Sequence, residues 1–160
     1  LPSLSLAFFK YYVFKKGTKT QFKEKMYRFL NYCDIDKDVK DFWDKHIVNM
    51  KRWYKAQQKE DDLIISASPE FLLKPLENIL GFKVIASNVD KHSGKYSGNN
   101  CYWDEKVTRF YEIYPDGEID EFYSDHYSDE PLAKLAKEAF IVDKDEIIPW
   151  DHTKHIKPRI

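Results

Sequence analysis

The spacing of apolar positions changes near Asp61. Upstream it is helical. Residues 4–16 read as an aromatic-rich helix, and Gly17-Thr18-Lys19-Thr20 as a stop followed by a new cap. Residues 20–32 read as a second helix with Phe22, Met26, Phe29 and Leu30 at helical spacing. Residues 36–58 read as one long third helix with Val39, Phe42, Trp43, Ile47, Met50 and Trp53 on one side. Aromatic stripes of this kind are expected to pack a core. Downstream, strand and helix patterns alternate. Leu63-Ile64-Ile65 is the apolar run of a central strand, and the helix after Ser68 runs to Leu80 with Gly81 as its C-cap. Strands are expected at 83–88, 119–123, 140–142 and 146–150, helices at 105–114 and 130–139, and a hairpin or turn at 92–98. The alternation predicts an α/β fold with a parallel sheet.

Three polar stretches carry candidate chemistry. In Ser66-Ala67-Ser68-Pro69 an apolar strand ends at hydroxyls, with Ser68 suited to an N-cap and Pro69 to the first helical position. Backbone N–H groups and a helix dipole at such a junction favour an anion, although the same pattern also describes a capped helix and nothing more. Lys106 opens a helical pattern with Val107 and Phe110 on one face. It is either a point charge for a phosphate or an ordinary surface lysine. Asp125 and Asp129 follow the strand at 119–123. If the turn folds back, both carboxylates face one point, as a hard cation such as magnesium requires. They stand where a strand ends, which is where open α/β sheets bind ligands.

In this order and spacing the three stretches resemble the haloacid dehalogenase (HAD) superfamily of phosphatases, most closely its phosphoserine-phosphatase-like branch. Ser66 matches the serine of the family's second motif, Lys106 the lysine of the third, and Asp125 and Asp129 the acids of the fourth. The resemblance implies a Rossmann-like three-layer α/β/α core with an N-terminal helical cap. Residues 1–60 would form the cap, 61–150 the core and 151–160 a tail. It implies a magnesium-dependent phosphatase acting on a small phosphomonoester. An aspartate would attack phosphorus, and water would hydrolyse the aspartyl phosphate. Ser66 and the Ala67 N–H would bind phosphoryl oxygens, and Lys106 would neutralise charge on nucleophile and phosphate. Asp125 would bind Mg2+, and Asp129 would hold a metal-bound water or orient Lys106.

The chain departs from the family pattern at one decisive place: it contains no Asp-x-Asp-x-Thr after an apolar strand. Asp34-Ile35-Asp36 has the spacing of the two acids but looks like a helix–helix turn. An N-terminal segment carrying the nucleophile is therefore expected upstream of Leu1, and residues 1–160 alone are expected to show no turnover. Ser124 and His126 also replace the small residues that usually flank the first acid of the fourth motif. Two alternatives stay open: a non-catalytic binding domain that kept the fold, and a phosphotransferase using an acceptor alcohol. A cap arginine would mark phosphoserine as substrate; Phe29 occupies the aligned position with Arg28 beside it.

Composition changes the picture little. With 26 basic and 27 acidic residues the net charge is −1, which supplies no broad attraction to nucleic acid or anionic membrane. Cys33 and Cys101 lack metal-site spacing and suggest a reduced, cytoplasmic setting. No apolar run approaches a membrane span. His152 and His155 lie three apart in a tail expected to be disordered, and neither substrate identity nor oligomeric state is readable.

Overall fold

A computed structural model describes residues 18–154. The helix expected at 4–16 lies outside them. Helix α1, Lys19–Met26, starts at a reciprocal cap: Thr18 Oγ1 accepts from Gln21 N at 3.1 Å, and Gln21 Oε1 accepts from Thr18 N at 3.2 Å. The chain then tightens into a 3-10 turn, Tyr27–Tyr32. Helix α2, Ile35–His46, is capped by Asp34, whose Oδ1 accepts from Lys37 N at 3.3 Å. The single helix expected over 36–58 is broken. After α2 come a 3-10 turn, Ile47–Asn49, and a short α3, Arg52–Gln57. Met50 and Lys51 are extended between them. The expected stripe divides accordingly: Val39 is buried, whereas Phe42 is exposed.

The α/β portion begins with strand β1, Leu63–Pro69, followed by two short helices, α4, Glu70–Leu73, and α5, Pro75–Leu80. Gly81 ends α5 at φ 82, the left-handed cap expected of it. Strand β2, Lys83–Ser87, pairs parallel with β1. Helix α6, Asp104–Ile113, leads to strand β3, Ile119–Ser124. A 3-10 turn, Tyr127–Asp129, and helix α7, Glu130–Ala133, precede strand β4, Ala136–Asp143, which pairs parallel with β3. Strand β5, Glu146–Pro149, returns antiparallel along β4. The helix expected at 130–139 therefore stops after one turn, because residues from Ala136 enter the ladder against β3. The fold is α/β, with its parallel strands in two ladders, β1–β2 and β3–β4–β5.

Leu76, Phe82, Val84 and Ala86 pack beneath β1 and β2. Leu30, Ile35 and Val39 form the core of the helical segment. Trp43 packs against both groups, and its Nε1 donates to Leu72 O at 2.6 Å. A third group joins Ala133, Ile141 and Trp150. Beside it Glu130 is 2% exposed and accepts from Trp150 Nε1 at 2.6 Å and pairs with His152 Nδ1 at 3.1 Å. The tail at His152 is thus anchored, contrary to the expectation of disorder; His155 lies outside the described residues. No helix among the described residues is long and apolar enough to cross a membrane.

The turn after β2 is tied to the helical segment at Gly94, whose φ is 69. A Cβ there would stand 2.5 Å from Tyr27 Cβ and 2.8 Å from Tyr27 O. Gly94→Ala is expected to destabilise the fold by about 3 kcal/mol, combining left-handed strain with a clash against backbone. Urea denaturation checks this, and an unchanged midpoint would show that the turn does not bear on Tyr27.

Glu130 sets an acid limb of stability. Burial pushes its carboxyl up, but hydrogen bonds from Trp150 and His152, the charge of His152 and Lys134 outweigh burial and hold it below the ordinary value. A depressed folded pKa adds stability above the unfolded value of about 4.3, and that stability is lost as pH falls through the folded pKa. Wild type should therefore lose stability more steeply below about pH 4.3 than Glu130→Gln does, as measured by thermal melts across the acid range.

Candidate active site

Strands β1 and β3 bring their carboxyl ends toward α6 and the turn before α7, and Lys106 and Asp129 meet there. Lys106 Nζ lies 2.6 Å from Asp129 Oδ1, with side chains 8% and 13% exposed. Lys106 is therefore no surface lysine. It lies in the first turn of α6, on the face that buries Phe110. The second oxygen of Asp129 accepts from Ser124 Oγ at 2.9 Å, so the last residue of β3 fixes the carboxylate from the other side. Both oxygens of Asp129 are thus engaged. Asp125, by contrast, is exposed and makes no hydrogen bond or ion pair among the described residues. The turn leaves the two acids in different states: one buried and paired, one open. His126 is exposed, and its Nδ1 accepts from Ser128 N at 3.0 Å, which caps the 3-10 turn.

Ser66 and Ala67 lie half-buried near the end of β1. Ser66 Oγ accepts from Ser68 N at 3.1 Å, leaving its own proton to donate elsewhere. Ser68 is not the expected N-cap: the strand continues to Pro69, and the helix begins at Glu70 without a side-chain cap. A one-turn helix with an acid in that turn offers little dipole to an anion. Any phosphate affinity here comes from the strand end and the cations around it.

Sequence spacing did not single out several groups that structure this site. Lys23 Nζ donates to Ala67 O at 2.7 Å and to Asn100 Oδ1 at 3.2 Å. Ser87, fully buried at the end of β2, has its one hydroxyl proton shared between Ala67 O at 3.3 Å and Asn100 Oδ1 at 3.1 Å, and accepts from Cys101 N at 2.9 Å. The loop that carries Asn100 enters α6 through Trp103, held at φ 58. Arg109 fastens it further, donating to Ala86 O at 2.6 Å and Asn99 O at 2.7 Å. Lys19, one turn before Lys23, lays its ammonium 3.8 Å from the centre of the Tyr102 ring. The only legible signal for this pair was the four-residue interval that places both lysines on one helix face.

Burial lowers the Lys19 pKa; the Asp129 carboxylate raises it and Lys106 lowers it further. Burial, followed by the charge of Lys19, brings Lys23 down to about 8. Lys23 therefore burdens the fold below pH 8, and stability rises as pH climbs from there toward the unfolded value of about 10.4. Lysine side-chain NMR should place the Lys23 midpoint near 8, and Lys19→Gln should raise it. An unshifted midpoint in that variant would show that the two ammoniums do not sense each other.

Among the described residues no group of three or more His, Cys, Asp or Glu stands ready to hold a metal ion. Magnesium does not require one, because it keeps several waters and takes one or two carboxylates together with substrate phosphate. The open carboxylate of Asp125 fits that demand, with Asp129 beside it in the same turn.

The sequence model of the haloacid dehalogenase-like hydrolases matches residues 3–134. The chain belongs to that family of hydrolases, whose members generally use Mg2+. The match is to the family as a whole and selects no branch of it. No curated protein and no solved structure matches the chain.

The ion pair reverses one expectation. A lone cation confined at a phosphate site would gain stability on truncation, so Lys106→Ala should be neutral or stabilising. With Asp129 buried against it, the same change leaves a carboxylate short of a partner. Lys106→Ala is now expected to cost about 3 kcal/mol. Chemical denaturation checks this; a gain in stability would mean that Asp129 is solvated well enough to stand alone.

Proposed function

We propose that this chain carries the phosphate-binding and charge-neutralising part of a magnesium-dependent phosphatase for a small phosphomonoester. The observation that supports this most is the buried Lys106–Asp129 pair beside an uncommitted Asp125 at the end of β3. In this reading the helices within 1–60 act as a cap over a core at 61–150. The Ser66 hydroxyl and the Ala67 N–H donate to phosphoryl oxygens. Lys106 presents its ammonium to the charge that builds up on those oxygens, and Asp129 and Ser124 hold it in position. Asp125, with Asp129 near it, is the carboxylate that would hold Mg2+. When bound, that ion polarises the phosphoryl oxygen. Attack on phosphorus by a carboxylate, giving an aspartyl phosphate that water then cleaves, belongs to the same reading. That carboxylate is neither Asp34, which caps α2, nor Asp36, which accepts from Lys91 Nζ at 2.6 Å.

In the intact protein Lys106→Ala should lower kcat by about two orders of magnitude, the loss of one preorganised electrostatic donor. Lys106→Arg should rescue poorly, because a planar fork does not replace a compact ammonium against Asp129. Asp125→Asn should abolish magnesium-dependent turnover while leaving the melting temperature unchanged, since its side chain is exposed and has no partner among the described residues. Steady-state assays on a generic phosphomonoester decide the matter. Full activity in both Lys106 variants would overturn the reading.

A further inference from the structure

The turn that carries Asp125 and Asp129 rests on one side chain from the far end of the fold. Trp150, directly after β5, is 8% exposed. It meets the turn before, within and after its length. Its ring makes T-shaped contacts with Phe122 of β3, centroids 5.8 Å apart, and with Tyr127 of the 3-10 turn, centroids 5.0 Å apart. Its Nε1 donates to Glu130 Oε2 at 2.6 Å, and Glu130 is the residue next to Asp129. The tryptophan is itself fixed, because its backbone N–H donates to Ala139 O of β4 at 2.9 Å.

Glu130 does more than anchor the tail. A buried carboxylate is a poor source of net stability, since desolvation offsets most of what its partners contribute, and an apolar side chain of like size would pack as well. A buried charge with its oxygens engaged does hold one position. Glu130 Oε2 is taken by Trp150, and Oε1 by His152 at 3.1 Å with Lys134 3.4 Å away. Asp129, the residue before it, is also engaged at both oxygens, by Lys106 and Ser124. Two consecutive carboxylates therefore tie one short stretch to two places: Asp129 to α6 and β3, Glu130 to the segment after β5.

We infer that Trp150 is a positioning residue for the Lys106–Asp129 pair, acting through Glu130. Without the indole N–H, Glu130 keeps only its partners at the surface, His152 and Lys134. The start of α7 follows it, and Asp129 loses its fixed distance from Lys106. The segment after β5 is then part of the support of the site, although it contains none of the candidate site residues. The consequence for turnover rests on the phosphatase reading above; the support of the ion pair does not.

A double-mutant cycle on the full chain tests the support without turnover. Trp150→Phe keeps a ring against Phe122 and Tyr127 and removes the N–H; Lys106→Met removes the cation. Each raises the unfolding constant measured in urea. In the double variant the rise should fall short of the product of the two single effects by about three-fold or more. Trp43→Phe, which removes another indole N–H bond, that to Leu72 O, is the matched control and should combine with Lys106→Met multiplicatively to within about two-fold. Glu130→Leu removes the Trp150 bond from its other end and should show the same shortfall, so the test stands even where Trp150→Phe does not fold. Side-chain NMR gives a second readout: the Lys106 ammonium signal should move in Trp150→Phe and stay in place in Trp43→Phe. In the intact protein, below the melting temperature, Trp150→Phe should lower kcat about ten-fold with KM changed by less than about two-fold, the usual cost of losing a hydrogen bond that orients a reactive group. Glu130→Gln, whose amide oxygen still accepts from the indole, should keep most of kcat, and Glu130→Leu should not. Multiplicative effects of Trp150 and Lys106 with an unmoved Lys106 signal overturn the positioning role and leave the phosphatase reading standing. A coupled pair in a protein that shows no turnover overturns the phosphatase reading and leaves the positioning role in place.

Discussion

The Lys106–Asp129 pair is the constraint on which the site depends. Residues of the β1–β2 ladder and of the β3–β4–β5 ladder are not joined to each other by strand hydrogen bonds. Beside their carboxyl ends an ion pair ties the first turn of α6 to the turn before α7. A buried ion pair is a poor source of net stability, since desolvation consumes most of its Coulomb energy. Its value is specificity: a lysine at 8% exposure, paired with one carboxylate among the described residues, is held in one place. Ser124 narrows it further by occupying the second oxygen of Asp129.

The helical segment reaches the strands through Trp43. Its ring packs on both the helical core and the core beneath β1 and β2, and its N–H ends on the Leu72 carbonyl. The turn at Gly94 approaches Tyr27 from the other side. With those two contacts fixed, α1 is delivered to the end of β1, where Lys23 meets the Ala67 carbonyl. The cations of α1 are thus placed by packing some distance from them as well as by local contacts, Lys23 with Ala67 and Asn100 and Glu24 with Tyr96 N at 3.0 Å.

Period and capping made much of this legible. Strands at 83–88, 119–123 and 146–150, the helix at 105–114 and the left-handed Gly81 are local in cause, and the structure has them within a residue or so. The misreadings share a different cause. Residues 136–139 have a helical composition, but pairing with β3 overrides it. The helix expected over 36–58 breaks at Met50 and Lys51, which no glycine or proline announces. Ser68 has the chemistry of a cap, yet the strand runs one residue past it. At the site, motif order and spacing singled out Ser66, Lys106, Asp125 and Asp129 as candidates, and the structure adds that Asp129 is buried against Lys106 while Asp125 is exposed. Lys19 and Lys23 stood in a lysine-rich segment where nothing distinguishes one ammonium from another until the fold brings two of them to a strand end.

That difference between the two acids has a physical origin. Asp129 precedes α7 and lies at the end of a 3-10 turn whose backbone directs it back toward β3 and α6. Asp125 follows Ser124 in the bend where β3 ends, and it is exposed. Ser124, the last strand residue, holds Asp129; Asp125, one residue past the strand, makes no hydrogen bond or ion pair among the described residues. One turn thus holds a fixed carboxylate against Lys106 and an exposed one with no ion-pair partner among the described residues. A one-residue slip of β3 would turn Ser124 away from Asp129 and Phe122 away from Trp150 and Ala133 together. The hydrophobic register of the strand and the hold on Asp129 are the same constraint.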